Sequence, residues 1–198
     1  MEDFWFYIQL GLDHVLDINA YDHVLFLIAL ALPFTFKSWR TVVFLATLFT
    51  IAHCLSLILS SYNVLSVDVA LIEFFIPITI VVTAVFNMLY AKLGSNEKNI
   101  WPHSVATVIF GLIHGFGFST YFKMLMAEEH NKLCPLMGFA LGIEISQVII
   151  VLSVLILSFF LTSFTKLKHI SLVFLLSVLI ILLTIPLLIE TFPYGTQY

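Results

Sequence analysis

Residues 14–26 read HVLDINAYDHVLF, and the arrangement of the rest of the chain depends on this stretch. It brings four polar side chains to the start of a long apolar run: His14, Asp17, Asp22 and His23. His14 and Asp17 are three residues apart, which is the spacing of neighbours on one helical face. Such groups are costly beside lipid unless a partner satisfies them. We therefore expect the stretch to contribute to a metal site or to a buried hydrogen-bond network.

The composition indicates the class of protein. Of the 198 residues, 61% are hydrophobic and only 10% are charged, and the mean hydropathy is +1.10. Repeated apolar stretches of about 20 residues are long enough to cross a bilayer. We expect an integral membrane protein in the lipid bilayer, which in a bacterium would be the inner membrane. Because the few charges lie in short loops, we expect no nucleic-acid partner.

The apolar pattern predicts an all-α polytopic transmembrane helical bundle of about six spans, with residues 1–198 forming a single domain. The first residues, MEDFWFYIQLGLDH, lack the basic segment and cleavage site of a secretory signal, and they predict a short interfacial or re-entrant helix. Cys54 and Cys134 are expected to be free thiols. The spans are predicted at residues 21–36, 41–62, 68–91, 103–124, 135–164 and 170–189.

The charges of the loops predict the orientation. If the N-terminus is outside, the inner loops hold six basic residues: Lys37, Arg40, Lys92, Lys98, Lys166 and Lys168. The outer segments hold two, Lys123 and Lys132, together with Glu128 and Glu129. Because lysine and arginine concentrate in cytoplasmic loops, both termini are expected outside.

Polar residues of five predicted spans fall at one depth when a rise of about 1.5 Å per residue is applied. They are His23, His53, Glu73, His114 and Glu144, all in the outer half. The inner half offers weaker groups, namely Thr83, Asn87 and Ser158. A single outward-facing pocket is therefore predicted. Imidazole together with carboxylate suits nickel, zinc, iron or manganese better than calcium or magnesium.

Several polar residues have a second interpretation. Asp17 and Asp22 can cap a helix start instead of binding a metal ion. Gln147 lies three residues after Glu144 and is expected to orient that carboxylate or a histidine. A single histidine in an apolar helix is usually a hydrogen-bonded packing residue, so the ligand role depends on the convergence. The remaining histidines stand at span ends or in loops and are expected to be solvated: His103, His130 and His169.

Five parts of the chain follow one another in a characteristic order: HVLDINAYDHVLFLIAL, FTIAHCLSL, Glu73 in its span, FGLIHGFGF and GFALGIEISQ. Together they resemble the HupE/UreJ family of membrane proteins. The resemblance implies a helical protein associated with hydrogenase and urease operons and regarded as a nickel or other divalent-metal permease. The positions that match the polar motifs of the family are His14, Asp22, His23, His53, Glu73, His114, Glu144 and Gln147.

Three functions remain as hypotheses at this point. The first is a nickel-type permease whose metal site contains His14, Asp22, His23, His53, Glu73, His114 and Glu144, with Asp17 and Gln147 in supporting roles. The second is a zinc-dependent intramembrane hydrolase acting on a lipid or a membrane-anchored substrate, with Glu73 or Glu144 as general base. The third is a metal-stabilised scaffold in a membrane complex. Nickel or zinc is the expected metal, and a homo-oligomer is compatible with each function.

Overall fold

The computed structural model describes residues 2–17, 20–65, 67–93, 100–126, 132–165 and 167–193. Within these ranges the chain forms seven α-helices and no strand, which confirms the predicted all-α architecture. The helices are α1 (Glu2–Leu16), α2 (Asp22–Ala31), α3 (Trp39–Ser61), α4 (Val69–Leu93), α5 (Trp101–Leu125), α6 (Leu133–Thr165) and α7 (His169–Glu190). A single 3-10 turn, Phe36–Ser38, precedes α3.

Five helices, α3 to α7, have the length and the apolar composition needed to cross a membrane. They match the last five predicted spans to within two residues at each end, because a long apolar run satisfies its backbone polar groups in lipid only as a helix. The protein is therefore an integral membrane protein. Cys54 and Cys134 are both free, as expected. The loop residues Lys98, Glu128, Glu129 and Lys166 lie outside the described residues, so the orientation stays a prediction.

The first predicted span is shorter in the structure than residues 21–36. Only Asp22–Ala31 forms the helix α2, since Pro33 lacks an N–H group and restrains the residue before it. At about 1.5 Å per residue, α1 and α2 are roughly 22 and 15 Å long, too short to cross a core of about 30 Å individually.

Helix α1 lies closely against the first half of α6. A Cβ atom at Gly142 would overlap with the carbonyl oxygen of Ile8, and one at Gly138 would lie 2.9 Å from the carbonyl oxygen of Phe4. The contact partner moves from Phe4 to Ile8 along α1 as the glycine moves from Gly138 to Gly142 along α6, so the two helices run in the same direction. Such close approach of two backbones requires small residues at the crossing.

Helix α2 continues along α6 beyond α1. The two helices are in contact, and the Phe36 ring, just after α2, lies 6.3 Å from the ring of Phe159, far along α6. The chain therefore follows α6 from end to end as two helices in series. Together α1 and α2 have the length of one crossing that is interrupted between Leu16 and Asp22.

Helices α3 and α5 form a second close crossing, which contains two glycines of the FGLIHGFGF segment. A Cβ atom at Gly111 would lie 2.8 Å from the carbonyl oxygen of Phe49, and one at Gly115 would overlap with Ser56 Oγ and the carbonyl oxygen of His53. This contact brings the middle of α3 against the middle of α5.

Candidate metal centre

Four histidines from four helices form one group, which we call the four-histidine cluster: His14 of α1, His23 of α2, His53 of α3 and His114 of α5. The ring centroids are separated by 4.6 Å for His14 and His23, 5.7 Å for His14 and His53, 5.9 Å for His23 and His53, and 5.3 Å for His23 and His114. Imidazoles that share one ion at about 2.1 Å have centroids about 4.5 to 5.5 Å apart. The separations from His23 to His14 and to His114 fall in this range, whereas the two separations to His53 are slightly longer.

The cluster lies where the first crossing is interrupted. His14 is in the last turn of α1, and His23 is the second residue of α2. His53 and His114 come from near the midpoints of α3 and α5, which are Thr50 and Ile113. The site is therefore far from both ends of the long helices, in the manner of transporters whose discontinuous helices hold a binding site near the membrane midplane.

Two of the imidazoles are oriented through Nδ1. His23 Nδ1 lies 3.2 Å from Asp22 Oδ1, and His114 Nδ1 lies 2.8 Å from the carbonyl oxygen of Phe110. Because a carbonyl or an ionised carboxylate only accepts, Nδ1 carries the proton and Nε2 keeps its lone pair. Metal-binding histidines are commonly held in this way. Asp22 therefore orients His23 with one oxygen, and its other oxygen remains a candidate ligand.

Five of the six remaining ring nitrogens of the cluster are buried and have no hydrogen-bond partner among the described residues. They are His14 Nε2, His23 Nε2, His53 Nδ1, His53 Nε2 and His114 Nε2. An unsatisfied buried polar group costs about 1 to 3 kcal/mol. Such a collection of neutral nitrogen ligands fits a transition-metal ion, for which imidazole is a preferred ligand.

The rings do not yet have the complete geometry of a metal site. In the described part of the chain, no group of three or more His, Cys, Asp or Glu side chains is placed so that it could hold a metal ion. The χ2 torsion of histidine is broad, but rotation of His23 or His114 would break the Nδ1 hydrogen bonds that orient these two rings. Binding an ion in the cluster therefore requires movement of the His14 and His53 side chains towards them.

The predicted ligand Glu144 lies beside the cluster. Its two carboxylate oxygens accept hydrogen bonds from the Thr47 and Thr50 hydroxyls, each at 2.6 Å. Thr50 precedes His53 by three residues, so the carboxylate lies about one helical turn away. Gln147 is buried, and its Oε1 lies 3.4 Å from Thr50 Oγ1. Glu144 and Gln147 therefore share Thr50 as a partner, and the Glu144 carboxylate is bonded to threonines.

The structure does not bring Glu73 into the cluster. This residue is exposed on α4, whereas His23, His53 and His114 are at most 4% exposed. The depth estimate predicted Glu73 at the level of the histidines, but its exposed side chain is not part of the buried cluster.

One of the histidines that were predicted to be solvated is buried. His103 is only 7% exposed, because its ring packs among the rings of Phe34, Phe86 and Tyr90 at 5.1 to 5.3 Å. The prediction was wrong for this residue. His169 is partly buried, and His130 lies outside the described residues.

The cluster opens through His14 onto a wide cavity of about 580 Å³, which we call the acidic vestibule. The residues that line it are Leu10, Asp13, His14, Leu16, Asp17, Phe118 and Tyr121. Asp13 and Asp17 are both exposed; Asp13 lies near the end of α1, and Asp17 directly follows that helix. A cavity that carries two carboxylates concentrates cations. The sequence interpretation missed Asp13, although its spacing from Asp17 could have indicated it.

Aromatic side chains enclose the imidazoles on the other sides. The ring centroids lie 4.0 Å apart for Phe118 and His14, 5.2 Å for Phe26 and His114, and 5.2 Å for Phe49 and His114. These rings keep the surroundings of the cluster apolar, which strengthens electrostatic interactions with a bound cation.

Comparison with known proteins identifies one family. The family model described as HupE / UreJ protein matches residues 1–191, which include the whole cluster and the acidic vestibule. No curated protein and no solved structure gives a significant match.

Proposed function

Because this chain belongs to the HupE/UreJ family, we propose that it carries a divalent transition-metal ion across the membrane. Family membership and the five long apolar helices support a metal-related membrane protein. The proposal of metal transport rests on the four-histidine cluster, whose unpartnered nitrogens lie at the interruption between α1 and α2. A binding site formed where a membrane-crossing segment is interrupted can become accessible from either side of the membrane.

The acidic vestibule is the entrance in this proposal. Asp13 and Asp17 attract the hydrated ion, and His14 lines both the vestibule and the cluster. The ion then exchanges water for the lone pairs of His23, His53 and His114. Nickel is the proposed ion because imidazole suits nickel and the family is linked to it; zinc would use the same ligands. The loop charges support an outward-facing vestibule in a bacterial inner membrane.

Metal uptake by liposomes containing the purified protein tests the proposal. We expect His23→Ala and His114→Ala to lower the initial rate of Ni²⁺ uptake by about tenfold or more, because each removes an oriented nitrogen ligand. His169→Ala is the matched control, since His169 lies at the start of α7, and it should transport as the wild type does. Equal uptake by all four proteins would exclude the cluster from transport.

Metal affinity should also depend on pH. A histidine must be neutral to bind a metal ion, and its ordinary pKa is about 6.5. Burial disfavours the charged imidazolium, so protons compete for these ring nitrogens only below that pH. We therefore expect the affinity for Ni²⁺ to stay level from pH 8 to about pH 6.5 and to fall at more acidic pH. Equilibrium dialysis between pH 8 and about pH 3 measures this, and an affinity that is unchanged down to about pH 3 would contradict histidine ligation.

A zinc-dependent hydrolase is the second candidate, and the size of the acidic vestibule favours it. A cavity of about 580 Å³ beside His14 is large enough for part of a substrate. An enzyme would keep one zinc ion per chain through purification, and the ion would not exchange with added ⁶⁵Zn²⁺ on the timescale of uptake. Rapid exchange of a weakly held ion supports the permease instead.

A further inference from the structure

A second group of buried polar side chains lies between α2, α4 and α5. Asn87 and Thr107 are each 1% exposed and His103 is 7% exposed. All three line one cavity of about 110 Å³. Four polar atoms there have no hydrogen-bond partner within the described ranges of the chain: both ring nitrogens of His103, Thr107 Oγ1 and Asn87 Oδ1.

The orientation of Asn87 determines which atom it offers to the cavity. Its Nδ2 donates a hydrogen bond of 2.7 Å to the carbonyl oxygen of Ala29, in α2. The amide is thereby fixed, and Oδ1 is left as an acceptor. The cavity thus offers an imidazole nitrogen, an amide oxygen and a hydroxyl oxygen. This mixed set suits a divalent transition-metal ion, and because none of the three is a carboxylate, it would hold the ion weakly.

The cavity is separated from the four-histidine cluster by one aromatic layer. Phe26 and Phe110 line the cavity, and both also contact His114: the Phe26 ring at 5.2 Å and the Phe110 carbonyl oxygen at 2.8 Å. His114 follows His103 by 11 positions in α5, a distance of about 16 Å along the helix axis. The two polar groups therefore lie in series along the bundle.

We propose that this cavity is a second, weaker site for the divalent metal ion, reached from the four-histidine cluster past Phe26 and Phe110 on the way to the far end of the bundle. The inference rests on the proposed transport function. The second site supplies metal ligands in the inner half of the membrane, where the chain otherwise offers few. Weak binding fits this position, because an ion must leave the last site of a route as readily as it enters.

Titration of purified full-length protein with Co²⁺ alone tests the second site. We expect the wild type to bind two ions. The second ion should bind at least about tenfold more weakly than the first, because the second site has fewer strong ligands. His103→Gln should bind one ion with the affinity of the first site unchanged, and Co²⁺ uptake into liposomes should fall about tenfold. His169→Gln, the matched control, should keep both ions and full uptake.

The outcomes distinguish this site from the transport function itself. One Co²⁺ per wild-type chain, with equal uptake by the wild type and His103→Gln, would overturn the second site and leave a cavity that holds only water. Two ions in a wild-type protein that transports none would support the second site and overturn the transport function.

A second variant decides the matter if His103→Gln loses both ions through a change in fold. Thr107→Asp has nearly the same volume and adds a carboxylate to the cavity. It should tighten the weaker site about tenfold, since ligand charge raises cation affinity, and should slow release of the ion. Unchanged affinity at the weaker site in this variant would overturn the proposal.

Discussion

Replacing Gly115 with alanine is expected to destabilise the protein by about 3 kcal/mol and to abolish metal binding. A Cβ atom at Gly115 would overlap with Ser56 Oγ and with the carbonyl oxygen of His53. The overlap with a backbone atom can be relieved only by separating α3 from α5. That separation would move His53 away from His114, the residue next to Gly115.

Gly117→Ala is the matched control for this prediction, two residues further along the same helix. A Cβ atom there would lie 2.8 Å from Ile76 Cδ1, the flexible end of a side chain that can move aside. Thermal unfolding in detergent and Ni²⁺ titration of both variants measure the difference. If Gly115→Ala binds Ni²⁺ as tightly as Gly117→Ala does, the close crossing of α3 and α5 does not hold the cluster together.

Replacing His53 with leucine is expected to change stability and metal affinity in opposite directions. His53 is fully buried, and both of its ring nitrogens lack a partner among the described residues. An apolar side chain of similar size removes that penalty, so the metal-free protein should become more stable by about 1 to 2 kcal/mol. Affinity for Ni²⁺ should fall about 100-fold, because one of the four imidazoles of the cluster is lost.

Thermal unfolding with and without Ni²⁺ separates the two effects of His53→Leu. A ligand at 100 times its Kd stabilises the folded state by about 2.7 kcal/mol, and with the 100-fold weaker affinity this increment should fall to about 0.4 kcal/mol in the variant while the metal-free midpoint rises. His169→Leu should retain the increment. A His53→Leu protein that is less stable without metal would mean that His53 is a packing residue with an unrecognised partner.

Much of the fold follows from local properties of the sequence. The last five spans were predicted to within two residues of α3 to α7, because hydropathy over about 20 residues determines whether a segment can lie in lipid. The depth estimate placed His23, His53 and His114 at one level, and the structure joins them in one cluster. Depth is predictable since the helical rise per residue is constant.

What the local pattern could not supply is the direction in which a side chain faces. Glu73 has a suitable depth but is exposed, while His103, near a helix start, is buried by rings from α4 and from the segment after α2. The direction in which a side chain points depends on which helix packs beside it. A helix with apolar residues on every side has a sequence that says little about which of its faces is buried.

The sequence by itself therefore determined that this is a helical membrane protein whose polar groups gather at one depth around HVLDINAYDHVLF. Only the tertiary structure decided that α1 and α2 both lie along α6, and that four imidazoles come together between them and the long helices α3 and α5. It also decided that Glu144 bonds to threonines of α3. The physical reason is that these features depend on close crossings at Gly115 and Gly142, where backbones of distant segments touch.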